Sequence, residues 1–316
     1  MSGAAATARL ALLGAAALAL GWVALGAAHG RMAGGMPLWG WAVALAAWGC
    51  AWAWVETAAH AAPGRAMRLA IPLAFGATLL FLWEVVTLGA QVPPVLLPPP
   101  SMIGARLAGS TAILWADFQQ TFLRAVLIGY AVGCGAGFVT AIAIDRSPFL
   151  QRGLAPVGNF ISALPIIGIA PIMVMWFGFD WRSKAAVVIV MVFFPMLVNT
   201  IAGLRASEAM QRDLMRTYAA SYGQTLLKLR LPAAAPHIFT ALKINSTLAL
   251  IGAIVAEFFG TPTVGMGFRI STEVGRMNVD MVWAEIAVAA LAGSAFYGAI
   301  TLLERAVTFW RPAARG

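Results

Sequence analysis

Five charged residues, Glu84, Arg124, Lys243, Glu257 and Glu285, fall in or at the ends of long apolar runs. A charge in hydrocarbon is costly, so such groups face an interior or a wet cavity, pair with one another, or snorkel to a surface. Glu84, Arg124 and Glu257 are expected near the outer end of a cavity, where mutual pairing outweighs contact with a solute. Lys243 lies within a turn or two of the opposite end and is expected to snorkel. Arg124 and Arg269 would favour an anion, yet a cation there equally balances Glu84 or Glu257. Pro165 and Pro171, with Pro156 and Gly168, interrupt one apolar run. Broken helices can line a solute path, and a kinked span that simply packs has an equal claim. His29, His60 and His237 are isolated and do not compose a metal site. Cys50 and Cys134 read as small buried hydrophobes. No nucleophile, base and ligand set converges, which speaks against a membrane-embedded enzyme. The three lysines are Lys184, Lys228 and Lys243, and none follows a glycine. The chain therefore lacks a phosphate-cradling loop ending in Gly-Lys-Ser/Thr, and no bound cofactor or metal is expected.

A second set of residues is grouped by spacing. Between Arg205 and Pro236 the chain carries many charges and is too long for a turn. Asp213 is positioned to start a short helix running to about Tyr222, with Arg216 and Tyr218 on it. Ala219, Ala220 and Ser221 cluster in its middle, and Gly223 would let the chain turn. A further short helix from Gln224 to Arg230 should end before Leu231-Pro232. Small side chains at the centre permit close approach to a partner's groove, and the flanking charges set the register.

The elements that hold these residues follow from composition. Of 316 residues, 61% are hydrophobic and 10% charged, and the mean hydropathy is +0.84. An ordinary soluble domain is about 25% charged. Lipid leaves only helices or closed barrels, and the runs here lack the alternation of barrel strands. An all-α, polytopic membrane protein follows. Apolar runs at 8–28, 37–58, 68–90, 118–144, 150–177, 183–204, 235–259 and 281–308 give about eight spans. The first run holds Arg9, an apolar stretch and small residues near Gly26-Ala27-Ala28, which is also the form of a signal peptide, but the second apolar run that follows at once argues against cleavage. The net charge of +9 fits inward loops obeying the positive-inside rule, and nucleic acid is not an expected partner. Lys/Arg placement puts both termini and the 205–236 segment inside, with Arg182 and Lys184 acting against the bias locally. Outside lie the proline-rich stretch ending at Ser101, a candidate helix N-cap, and an amphipathic stretch from Met102 to Trp115. Gly129, Gly133 and Gly137 recur at a spacing that lets helices approach closely, more within one subunit than across a dimer seam.

With Pro232 as the anchor, the 213–232 segment resembles the cytoplasmic motif of inner-membrane permeases of binding-protein-dependent ABC importers. That motif runs Glu-Ala-Ala, three residues, Gly, nine residues, Ile, one residue, Leu-Pro. Asp213 stands at its Glu, Leu214 and Met215 at its alanines, Ala219 at its Gly, Arg230 at its Ile, and Leu231-Pro232 at its Leu-Pro. Leu-Pro is the one identity, and Leu214, Met215 and Arg230 depart from the pattern. The wider chain resembles the nitrate/sulfonate/taurine branch, which includes pyrimidine-precursor and riboflavin permeases. Trp83-Glu84, Leu97-Pro-Pro-Pro-Ser101, Phe122-Leu-Arg124, Ala163-Leu-Pro-Ile166, Ala170-Pro171 and Trp176-Phe-Gly178 carry this likeness. So do Phe194-Pro195, Asn199-Thr200-Ile-Ala-Gly-Leu204, Leu231-Pro-Ala-Ala-Ala-Pro236 and Ala256-Glu257.

The resemblance spans about residues 68–310 and implies a type I importer permease core of six spans over 63–316, preceded by two extra spans over 1–62. It further implies a cytoplasmic coupling helix at about 211–223 that seats on a separate ATP-binding subunit, the user of ATP. A periplasmic substrate-binding protein, a second permease copy and the lipid bilayer of a bacterial inner membrane complete the implied setting. The solute is expected to be a heteroaromatic vitamin or precursor of the pyrimidine or riboflavin type, with taurine, sulfonate or nitrate as the near rival. An ion-coupled secondary carrier is the alternative of a different class. It should show internal symmetry between halves, and no repeat is evident.

Overall fold

Every described element of the chain is helical, as a bilayer without backbone partners requires. The structure, a computed structural model, describes residues 3–30, 35–60, 64–147, 149, 166–260 and 263–309. Seven helices among these residues are long and apolar enough to cross a membrane. Of the run expected at 150–177, the part before 166 lies outside the described residues, Pro165 included. Its remainder is a shorter apolar helix, Ile166–Phe177.

The chain divides into two compact units, 1–109 with 276–284, and 110–275 with 285–316. In the first, α1 (Gly3–His29), α2 (Leu38–His60) and α3 (Arg65–Gly89) pack around Ala24, Met36, Ala44 and Val85. A short amphipathic helix, α4 (Pro100–Gly109), comes after the proline-rich stretch. It begins one residue before Ser101, which therefore sits inside the first turn instead of capping it. Glu84 caps that turn from α3, its Oε2 accepting from the Ser101 N–H at 2.9 Å. Arg106 of α4 donates to Asp280 Oδ2 at 2.7 Å. Trp83 meets Trp283 edge-on, with centroids 4.8 Å apart.

In the second unit, α5 (Thr111–Phe118) runs through a π-helical segment, Gln119–Val126, into α6 (Leu127–Arg146). Next come α7 (Ile166–Phe177), α8 (Trp181–Arg205), α9 (Ala209–Thr217) and α10 (Tyr222–Thr225). A second π segment, Leu226–Arg230, carries α10 into α11 (Leu231–Glu257). The unit closes with α12 (Met266–Gly275) and α13 (Val279–Val307), whose first turns belong to the first unit. Two of these paths, 111–146 and 222–257, are continuous over 36 residues each. At 1.5 Å per residue they reach about 54 Å, against roughly 30 Å of hydrocarbon. Each therefore extends beyond the bilayer core.

Close approach of α6 to α8 sets the packing. A Cβ added at Gly133 would lie 2.4 Å from Val192 Cγ2 and 2.9 Å from the Ile189 backbone. Gly129 meets Ala185 and Val188 in the same way, and Gly137 meets Phe193 and Met196. The glycine stripe thus packs within one subunit, as its spacing favours. Asn245 of α11 ties the three helices together, its Nδ2 donating to Val192 O at 2.8 Å and to Cys134 Sγ at 3.2 Å. Gly133→Ala is expected to lower stability by about 1–3 kcal/mol through overpacking. Gly135→Ala, with nothing within 4 Å, should leave thermal unfolding of the detergent-solubilised protein unchanged or slightly later.

Candidate functional site

Helix α9, in the 205–236 segment, buries none of its residues. It starts after Glu208, whose N–H donates to Gln211 Oε1 at 3.4 Å, not at Asp213 as the sequence suggested. Asp213 lies mid-helix and pairs with Arg216 at 3.4 Å. Met210, Leu214 and Tyr218, four residues apart, form a single stripe with exposures of 81%, 55% and 76%. The turn also falls elsewhere than expected. Ala219 has a φ of +50°, its N–H donates to Arg216 O at 2.9 Å, and the Ala220 N–H donates to Met215 O at 3.0 Å. These two bonds are the paired pattern of a Schellman cap, with Ala219 at the left-handed position where glycine is preferred. A side chain there costs about 1 kcal/mol.

Ser221 then opens the next helix. Its Oγ accepts from the Gln224 N–H at 3.3 Å while its own N–H donates to Gln224 Oε1 at 2.9 Å, a capping box. Gly223 lies inside this helix and makes no turn. The helix does not end before Pro232, because the π segment widens the backbone just ahead of the proline and the path continues into α11. Arg230, at the end of that segment, makes two bonds to Asp145 at 2.6 and 2.7 Å.

At the opposite end of the second unit is a buried polar node. Asp117 and Thr121, four residues apart where α5 runs into the other π segment, both face the start of α12. Asp117 Oδ1 accepts from the Gly265 N–H at 2.6 Å, and its Oδ2 accepts from Arg269 Nε at 2.9 Å. Thr121 Oγ1 accepts from the Met266 N–H at 2.8 Å and donates to Glu257 Oε1 at 2.7 Å. Glu257 Oε2 accepts from the Gly267 N–H at 2.7 Å. Three successive amide groups at a helix start thus meet one hydroxyl and two carboxylates, which suits the positive end of the helix. Gly265, at φ +144°, is required, since a Cβ would lie 2.6 Å from Glu257 Oε1. Lys184, fully buried, donates to Phe179 O at 2.7 Å and to Gly260 O, joining the loops beside the node. It acts as a strut, which explains a cation placed against the positive-inside bias.

The outer residues proposed from sequence thus have separate partners. Glu84 bonds Ser101, with His29 Nε2 at 3.5 Å from its other oxygen. Arg124 is exposed and donates to Gln120 Oε1 at 3.2 Å, and Glu257 bonds Thr121 and Gly267. Pro171 lies within α7. Lys243 pairs with Glu304 at 2.9 Å. Asp117, Thr121, Lys184, Asp145 and Asn245 were not among the residues proposed from sequence. Asp117 stands one residue outside the expected run, and Lys184, near the start of another run, read only as a charge acting against the positive-inside bias. The other three are single polar residues whose partners come from distant parts of the chain.

The model of binding-protein-dependent transport system inner membrane components matches residues 129–309, which take in α9 and the helices on both sides of it. The chain belongs to this family. The permease is 30% identical over 242 residues to the formylaminopyrimidine transport permease of Halalkalibacterium halodurans, covering 76% of this chain and 95% of that protein. It is 29% identical over 234 residues to the riboflavin transport system permease of Chloroflexus aurantiacus, with 73% and 87% covered. The taurine transport system permease of Escherichia coli is 28% identical over 241 residues, with 74% and 87% covered. The permease is a multi-pass protein of the bacterial inner membrane, a transport subunit of an ABC importer of the nitrate/sulfonate/taurine type.

Thr121 is the hinge of the polar node, accepting one bond and donating another. Thr121→Val leaves the Met266 N–H and a Glu257 oxygen without this partner, and should cost about 1–3 kcal/mol in thermal unfolding. Thr121→Ser keeps both bonds and should unfold close to the parent.

Proposed function

We propose that this permease forms the path by which a small heteroaromatic solute, a vitamin or its precursor of the pyrimidine or riboflavin type, is imported with ATP as the energy source. ATP is hydrolysed on a separate cytoplasmic subunit, and α9 is the helix that seats in a groove of that subunit. The observation that carries this is the exposed Met210, Leu214 and Tyr218 stripe on a helix that buries none of its residues. An apolar stripe of three side chains in water is the pattern of a helix laid into a partner's hydrophobic groove. The chain-reversing Ala219 stands where the family motif has glycine, which keeps the end of the peg narrow. Leu214 and Met215, departures from the motif alanines, lie on this short helix, with Leu214 on the stripe itself.

A second copy of the permease and a periplasmic binding protein complete the proposed complex. The heteroaromatic reading is supported by the relatives at 30% and 29% identity, and an aliphatic sulfonates permease of Bacillus subtilis, also 29% identical, keeps the anion as its rival. The heteroaromatic reading is favoured also by Arg269, a cation that would suit an anion and is instead bound to Asp117. Asp213, Arg216, Tyr218, Ala219, Ala220, Ser221, Gly223, Leu231 and Pro232 make up the proposed ATPase-coupling segment. Glu84, Arg124, Pro165, Pro171 and Glu257 remain candidates for the cavity or gate.

Leu214→Asp is expected to weaken co-purification with the ATPase by about thirtyfold, equivalent to about 2 kcal/mol at an interface anchor. Ala219→Trp is expected to abolish it, and Ala219→Gly to retain it with a more stable turn. Full association and transport in both Leu214→Asp and Ala219→Trp would overturn this role of α9. A partner binding protein that holds taurine and ignores pyrimidines and flavins would replace the solute reading.

A further inference from the structure

If α9 receives force, that force must reach the spans, yet α9 buries no residue of its own. The attachment lies just downstream of it. Arg230 Nη1 and Nη2 donate to Asp145 Oδ2 and Oδ1 at 2.6 and 2.7 Å, and Arg230 Nε donates to Leu204 O at 3.0 Å. Tyr222 Oη donates to Asp145 Oδ2 at 3.0 Å. The Arg146 guanidinium lies 5.7 Å from the centroid of the Tyr222 ring.

These residues come from three helical paths. Asp145 is next to last in α6, Leu204 is next to last in α8, and Tyr222 and Arg230 bracket the stretch leading into α11. A planar guanidinium gripping a carboxylate with two parallel bonds fixes orientation as well as distance. The two side chains are 16% and 9% exposed, so water screens the pair little. The cation also lies at the C-terminal ends of α6 and α8, where it is favoured by both helix dipoles. Arg230 is the residue that departs from the motif isoleucine, and Asp145 is its counterpart.

We propose that Asp145, Arg230 and Tyr222 form a rigid joint that makes the coupling segment and the inner ends of α6 and α8 move as one body. They are positioning residues: they touch neither ATP nor solute. The joint rests on the reading of α9 as the coupling helix, and the test separates the two.

The complex of permease and ATPase is labelled with spin probes at Ala143→Cys and Ala209→Cys, both exposed positions, the second on the face of α9 away from the Met210, Leu214 and Tyr218 stripe, with Cys50 and Cys134 replaced by alanine. In the parent, the distance between labels should stay a single narrow peak before and after trapping with ATP and vanadate. In Asp145→Asn and Arg230→Gln, with the ATPase still bound and hydrolysing ATP, trapping should broaden or split that peak. Tyr222→Phe, which removes one of the four bonds, should broaden it less. Asp145→Glu should recover the narrow peak. If trapping leaves the narrow peak unaltered in Asp145→Asn and Arg230→Gln, the joint is refuted and the cluster only stabilises the fold. If an Arg230→Gln complex fails to assemble, Arg230→Lys, which keeps the charge but not the double bond to Asp145, carries the same test. An ATPase that does not associate with the parent overturns the coupling role of α9 itself and not merely the joint.

Discussion

Hydrocarbon offers no partner to an amide group, and this one constraint orders the molecule. Where the chain crosses the bilayer it is helical, and its departures from regular helix are met by side chains brought from elsewhere. The start of α12 is the clearest instance. Its three leading amides are received by Asp117, Thr121 and Glu257, residues from two other helical paths. At the other end of the second unit, the carbonyl of Leu204 at the end of α8 is received by Arg230. Polar chemistry is thereby concentrated at the two ends of the second unit. Between them lies an apolar core in which Asn245 and Tyr130 make the interhelical hydrogen bonds.

Both polar regions use the same device. In each, a π segment within a long helical path carries a residue that bonds across to another path. The segment Gln119–Val126 carries Thr121. The segment Leu226–Arg230 carries Arg230. Each residue then reaches a partner more than 80 positions away in sequence. The energetic gain is modest for any one bond and larger for the sets, because each set is buried and mutually oriented.

What the sequence disclosed depended on range. Apolar runs reveal spans because hydrophobicity is local. The described helices end within a few residues of the expected positions, apart from the two paths that π segments prolong. The glycine stripe of α6 was readable for the same reason. Local turn chemistry was harder to read. Gly223 looked like the reversal, yet Ala219 takes the left-handed position, because the capping box of Ser221 and Gln224 claims Gly223 for the next helix. Asp213 looked like a cap, but Glu208 and Gln211 start the helix earlier. Of the polar node, the sequence offered Glu257 and Arg269 without their partners. Its members are separated by up to 152 residues, and no local pattern pairs residues over that distance.

The two continuous 36-residue paths meet near their middles, where Asn245 is bonded to Cys134. They behave as stiff rods with a shared fulcrum in the core. With half-lengths of about 27 Å, a tilt of about 5° between them swings a tip by about 2 Å. A displacement of that size would break the double bond of Arg230 to Asp145 at one extremity, so that pair holds the two rods at one mutual angle.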